Sequence, residues 1–151
     1  MGSGPMSQVR AIREHELQEL LDLYRHLIPN DPELQAADVQ ELWSQIRQDR
    51  NMHYLVVEVS GRIAAACVLI IIPNLTRGAR PYGLIENVVT HSDFRRKGYG
   101  TSVLREALAI AWKQNCYKVM LLTSSKEEGT LTFYEKAGFV KGIKTGFIAK
   151  P

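Results

Sequence analysis

Arg95-Arg96-Lys97-Gly98-Tyr99-Gly100 puts three cations and two glycines into six residues, a combination suited to holding an anion. Backbone N–H groups at the start of a helix are unpaired, and the positive end of the helix dipole adds to their attraction for negative charge. Glycine lets the main chain come close to a ligand that a Cβ would hold away. The flanks give the turn its meaning. Residues 83–90 (Gly-Leu-Ile-Glu-Asn-Val-Val-Thr) read as a buried strand, and residues 101–111 as an amphipathic helix. A strand, a basic glycine turn and a helix N-terminus in that order form a site for a phosphorylated ligand. The bland alternative is a surface loop of solvated charge.

The elements that must position this turn follow from pattern and punctuation. Residues 8–12 suit a short edge strand. Leu17, Leu20, Leu21, Tyr24 and Leu27 recur at helical spacing within residues 14–28, and Pro29-Asn30-Asp31-Pro32 breaks the pattern. A second helix is predicted over residues 32–49, with Pro32 at its first position. Tyr24 and Trp43, on the apolar stripes of these two helices, read as core or cleft wall. Residues 53–59 and 62–73 form two β-rich runs joined by a hairpin turn at Ser60-Gly61. After a loop over residues 74–81 come the strand to Thr90, the glycine turn and a helix to about residue 115. A strand over residues 117–123, a polar loop and a short helix over residues 130–137 follow. Gly138 closes that helix, and residues 139–140 and 145–149 are expected to pair as a last hairpin across Gly142. The order is β-α-α-β-β-β-α-β-α-β-β, an α/β (α+β) class with no internal repeat or linker.

The chain has 151 residues, with 45% apolar and 23% charged residues and a net charge of +3. These values fit one globular domain. Residues 1–5 read as a cloning remnant ahead of a native start at Met6, leaving residues 6–151 as a single domain. Positive residues are spread along the chain apart from Arg95-Arg96-Lys97, which favours a small anionic ligand over nucleic acid. Cys67 and Cys116 lie in apolar surroundings and read as buried free thiols; no metal site is expected. No apolar run reaches the roughly 18–20 residues needed to span a bilayer, and no secretory signal is visible, so the expected location is cytoplasmic.

The order and motifs together resemble the GNAT superfamily of acetyl-CoA-dependent N-acetyltransferases. Arg95, Gly98 and Gly100 match that family's R/Q-x-x-G-x-G/A, and Tyr134 lies in Phe133-Tyr134-Glu135-Lys136-Ala137-Gly138-Phe139, matching F-Y-x-x-x-G-F. The likeness is specific in the second half of the chain and topological in the first. It implies a mixed, mostly antiparallel central sheet flanked by helices, with central strands splayed open. It implies acetyl-CoA as co-substrate, bound at Arg95 and with its pyrophosphate on the backbone N–H groups of Arg96, Lys97, Gly98, Tyr99, Gly100 and Thr101. The pantetheine arm would lie along Val88, Val89 and Thr90 as an extra strand. The acetyl group would enter the gap between residues 86–90 and residues 117–123, and an amine would attack from the other side. Tyr134 would return a proton to the departing thiolate. A proton must leave the amine, and Glu86, a carboxylate in an apolar strand, is the choice for the base. Strict alternation puts Leu84, Glu86 and Val88 on one face and Ile85, Asn87 and Val89 on the other. A backbone N–H near Val88 can stabilise the oxyanion.

Each role has a plainer counterpart. Tyr134 can be a packed ring whose hydroxyl caps a carbonyl, and Glu86 can line the acceptor cleft or pair with a cation. His53 and His91 read as structural, with a base role for His91 as the lesser alternative, and Ser124 or Ser125 can reach the pantetheine. A narrower likeness is carried by Ile85-Glu86-Asn87-Val88-Val89 and Asn115-Cys116-Tyr117-Lys118-Val119, which resemble the glucosamine 6-phosphate N-acetyltransferases of the superfamily. Thr130 replaces that group's asparagine, and the polar segment 124–129 is longer. Arg47, Arg50, Arg77 or Arg80 can line a phosphate; small amines, aminoglycosides and peptide N-termini are the other acceptors. The resemblance also implies a homodimer through the last strands or first helices, with Phe147 and Ile148 at its interface. The alternative to an enzyme is a non-catalytic acyl-CoA-binding or regulatory domain on the same fold.

Overall fold

A computed structural model describes residues 6–151; the expected cloning remnant at residues 1–5 lies outside them. Five strands form one sheet in the order β1 (Ser7–Ala11), β2 (Met52–Val59), β3 (Arg62–Ile72), β4 (Tyr82–Thr90) and β5 (Val119–Leu121). The first four pair antiparallel, and β5 runs parallel to β4. Helices α1 (Leu17–Tyr24) and α2 (Gln40–Gln48) precede β2. A single turn, α3 (Thr76–Ala79), lies between β3 and β4, α4 (Tyr99–Lys113) joins β4 to β5, and α5 (Glu128–Lys136) follows β5. No helix among the described residues is long and apolar enough to cross a membrane.

The β2–β3 turn is as the sequence predicts. Ser60 and Gly61 both have positive φ, 49° and 82°, the backbone whose twist matches the strands it joins. β3 is covered on both faces, so its run from Ile63 to Leu69 is buried throughout and shows no polar alternation. On one face Leu55, Val57, Cys67, Leu69 and Ile85 pack beneath Val103, Leu104, Ala107 and Ala111 of α4. On the other, Val56, Ile63, Ala66 and Val89 pack beneath Leu20 and Leu23 of α1. Burying one leucine of this kind contributes roughly 1.5–3 kcal/mol, which fixes both helices on the sheet. Trp43 of α2 is buried as expected, its indole N–H donating to the Glu14 carbonyl at 3.0 Å.

Edge strand β1 has its own fastening. The Arg10 guanidinium donates to both carboxylate oxygens of Glu16 at 2.7 Å and to Glu58 at 2.9 Å. This ties β1 to β2 and to the 3₁₀ turn Glu14–Glu16.

Several boundaries differ from those predicted. Residues 32–35 are irregular. The second helix begins with a 3₁₀ turn at Ala36–Val39, where Asp38 accepts from the Gln35 N–H at 3.3 Å, so this local bond and not Pro32 sets the start. The final hairpin does not form. Residues 139–151 carry no strand, and Val140, Ile143, Phe147 and Ile148 are exposed. β5 is three residues long, too short a ladder to template them, and no layer covers their apolar side.

Candidate active site

The site is built on an irregularity in β4. Val68 pairs with Glu86 and Ala66 with Val89, so Asn87 and Val88 together oppose Cys67. Asn87 is the extra residue of this bulge, at a φ of 52°. Asparagine is among the few L-residues that visit the left-handed region readily. The slip corrects the predicted alternation. Glu86 and Val89, opposite Val68 and Ala66, share the face under α1, whereas Ile85 and Val88 pack toward α4. Val88 therefore leaves the face of Leu84 and Glu86.

β4 also parts from β5 at this point. Their ladder covers Gly83, Leu84 and Ile85 against Val119, Met120 and Leu121 and goes no further. Residues 86–90 thus have no β5 neighbour, which is the splay that the resemblance implied. Glu86 and Asn87 are exposed beside the opening. Tyr134 is half-buried on the opposite, α4-side face, against the rings of Phe133 and Phe139 at 4.9 and 6.3 Å. Burial raises its ionisation above the ordinary tyrosine range, with Cys67 adding to the effect. Its hydroxyl keeps its proton at neutral pH, as a proton donor must. Glu86 and Tyr134 therefore flank the opening from opposite faces.

The glycine turn follows directly. His91 Nδ1 accepts from the Asp93 N–H at 3.0 Å, Arg96 and Gly98 are left-handed at φ 62° and 86°, and α4 begins at Tyr99, two residues earlier than predicted. No side chain caps α4, so its first N–H groups are free for an anion. Arg95, Arg96 and Lys97 are exposed around them, Tyr99 and Thr101 are half-buried, and Gly100 is buried. A Cβ on Gly100 would stand 3.0 Å from Phe133 and 3.2 Å from Thr90 Oγ1. Its smallness therefore serves the packing of α4 on α5 and β4. The Val89 side chain is buried beneath α1, and the Thr90 hydroxyl faces Gly100 at the start of α4.

The other candidates separate in the same way. Arg77 and Lys118 gather at the N-terminal ends of β4 and β5, the ends away from the glycine turn. Lys118 Nζ lies 5.2 Å from the rings of Tyr82 and Tyr117, and the Arg77 guanidinium 5.8 Å from Tyr117. Arg80 donates to the Asn115 and Cys116 carbonyls, a structural use. Arg47 pairs with Glu14 at 3.5 Å and lies over Trp43, and Arg50 is exposed after α2. Ser125 Oγ meets Thr130 Oγ1 at 3.1 Å and accepts from the Glu127 N–H at 3.3 Å, which commits it to the start of α5. Both cysteines are buried and free, as predicted; burial pushes the Cys67 thiol up to about 12. Two features went unread in the sequence. The His26 and His91 rings meet with centroids 4.1 Å apart, tilted by 42°, and Tyr24 of α1 packs on the cluster that holds Val89. A lone asparagine inside an apolar strand was the one available signal for the bulge.

The profile of the Acetyltransferase (GNAT) family matches residues 16–139. Glucosamine 6-phosphate N-acetyltransferase of Trypanosoma brucei brucei is 34% identical over 137 residues, covering 87% of this chain and 88% of the relative. A solved structure from Agrobacterium tumefaciens str. C58 superposes with a TM-score of 0.91 at 42% identity, over 95% of this chain and 99% of that one. The glucosamine-6-phosphate N-acetyltransferase of Arabidopsis thaliana gives a TM-score of 0.83 at 25% identity, over 97% and 98%.

Proposed function

Because this chain belongs to the Acetyltransferase (GNAT) family, whose members use acetyl-CoA, we propose that it moves the acetyl group onto the amine of an amino sugar phosphate, with glucosamine 6-phosphate the foremost candidate. The observation that carries this reading is the bulged, splayed end of β4 leading straight into the glycine turn. Residues 6–151 act as one such domain, cytoplasmic in location.

The pyrophosphate of acetyl-CoA rests on the N–H groups from Arg96 to Thr101, and Arg95, Arg96 and Lys97 supply charge around it. The pantetheine arm pairs with main-chain groups of Val88 and Thr90, on the edge that β5 leaves open. The acceptor amine sits on the α1 side near Glu86, which takes its proton directly or through water. The amine nitrogen attacks the thioester carbon, and the Val88 N–H stabilises the charge that develops on oxygen. When the C–S bond breaks, Tyr134 on the far face gives its proton to the thiolate. Arg77 and Lys118 provide the positive lining for the acceptor phosphate, and the names of the Trypanosoma and Arabidopsis relatives favour that acceptor.

The test is thiol release from acetyl-CoA across a panel of amines that includes glucosamine 6-phosphate. Release that needs one amine, and a loss of about tenfold or more in Tyr134→Phe, supports the reading. Release at equal rates with phosphorylated and unphosphorylated glucosamine would remove the phosphate from it. Arg77→Ala and Lys118→Ala should raise KM for glucosamine 6-phosphate and leave KM for acetyl-CoA unchanged.

A further inference from the structure

β4 ends at Thr90, and the next residue is a node of hydrogen bonds. The His91 N–H donates to the Ala64 carbonyl of β3 at 2.8 Å, and its carbonyl accepts from the Phe94 N–H at 2.9 Å. Its ring nitrogen Nδ1 accepts from the Asp93 N–H at 3.0 Å. The ring thereby caps the 3₁₀ turn Ser92–Phe94, which delivers the chain to Arg95 and the glycine turn. With Nδ1 used as an acceptor, the neutral imidazole carries its proton on Nε2. Histidine is an unusual choice for this task, which Asn, Asp and Ser commonly perform.

Aromatic neighbours hold the ring in place. His26, just past the end of α1, meets it with centroids 4.1 Å apart, and Phe94 stands edge-on at 5.8 Å. Phe94 in turn meets Tyr99, the first residue of α4, at 6.1 Å. A row of rings thus runs from the end of α1 to the start of α4. The Arg62 guanidinium lies 4.8 Å over Phe94 and pairs with Asp93 at 3.2 Å, a second tie on the same turn. Beyond it Arg95, Arg96 and Lys97 are exposed, and Arg96 is left-handed at φ 62°, so the glycine turn is set from its ends.

We propose that His91 is a positioning residue for the cofactor: its imidazole caps the Ser92–Phe94 turn and so fixes how the chain enters the glycine turn, where the free N–H groups of α4 meet the pyrophosphate. The side chain acts through backbone geometry and not through its charge.

The inference rests on the acetyl-CoA reading above, and the test separates the two. His91→Ala and His91→Asn are titrated with CoA by calorimetry and assayed for thiol release with acetyl-CoA and glucosamine 6-phosphate. Both variants lose the ring contacts with His26 and Phe94, but only His91→Asn keeps a side-chain acceptor for the Asp93 N–H. His91→Ala is expected to weaken CoA binding about fivefold and raise KM for acetyl-CoA to match, with kcat and acceptor KM within about twofold. His91→Asn should bind CoA within about twofold of the wild-type protein. Equal affinity in all three proteins, or a loss in His91→Asn as large as in His91→Ala, overturns the proposal. A second readout needs no ligand: hydrogen exchange of the Asp93 amide in ¹⁵N-labelled protein, which should quicken in His91→Ala and stay slow in His91→Asn. If the wild-type protein binds no CoA, the acetyl-CoA reading fails, and an unchanged Asp93 exchange rate in His91→Ala overturns the positioning role by itself.

Discussion

Gly98 and Gly100 stand two residues apart and meet different demands. Gly98 is left-handed with open space where a Cβ would go, so its need is conformational; Gly100 has ordinary φ but lies against Phe133 and Thr90. Gly98→Ala is therefore expected to keep the fold at a cost of about 1–2 kcal/mol and to weaken CoA binding in titration calorimetry. Gly100→Ala should lower the melting temperature by pushing α4 from α5, and Phe133→Leu in that background should recover part of the loss. Tyr134 gives a pH prediction. Its burial favours the protonated form, so activity should persist through the neutral range and fall only above the ordinary tyrosine value of about 10. A kcat profile of Tyr134→Phe should lack that alkaline limb. At this scale the sequence was informative. The motif residues lie where their neighbours in the chain put them, because a strand end, a turn and a helix start are local events. Arg80 and Ser125 could not be placed from sequence, because their partners, the 115–116 carbonyls and Thr130, are set by folding.

Among the elements, β1 depends on a charge cluster more than on apolar burial. Hydrogen bonds from Arg10 hold the Glu16 carboxyl below the ordinary carboxylate range, against the opposing effect of burial. A depressed folded value means that this stabilisation is complete above the unfolded pKa of about 4.3 and disappears as pH falls through the lower folded one. Melting curves should show the wild-type protein losing stability in that acid window. Glu16→Gln should be less stable at pH 7 by about 2 kcal/mol, with a shallower loss on acidification. The element order up to α5 was legible from periodicity and glycine or proline punctuation, apart from the single turn α3, which falls in the stretch expected as a loop. The bulge was not, because one inserted residue leaves composition and hydrophobicity unchanged. The last hairpin was a false reading of apolar residues whose pairing has no neighbour in the chain to direct it.

At the scale of the whole molecule, the C-terminal segment leaves Phe147 and Ile148 at 90% and 74% exposure, and Gly146 crosses against Leu122. A second copy is the occupant that the proposed homodimer assigns to this surface. Light scattering should give twice the chain mass, and Phe147→Ser with Ile148→Ser should reduce it to one chain without lowering the secondary structure seen by circular dichroism. The wild-type chain running as a monomer would end that proposal. Asn87 carries the broadest consequence. Glu86, Val88 and Val89 already point to alternating faces once residue 87 is set aside, so deleting it would leave every neighbour facing its present layer. The shortened chain should form a more regular sheet and outlast the natural one on heating, yet transfer nothing. Stability and activity are opposed at that single position, and selection for a sturdier fold alone would erase it.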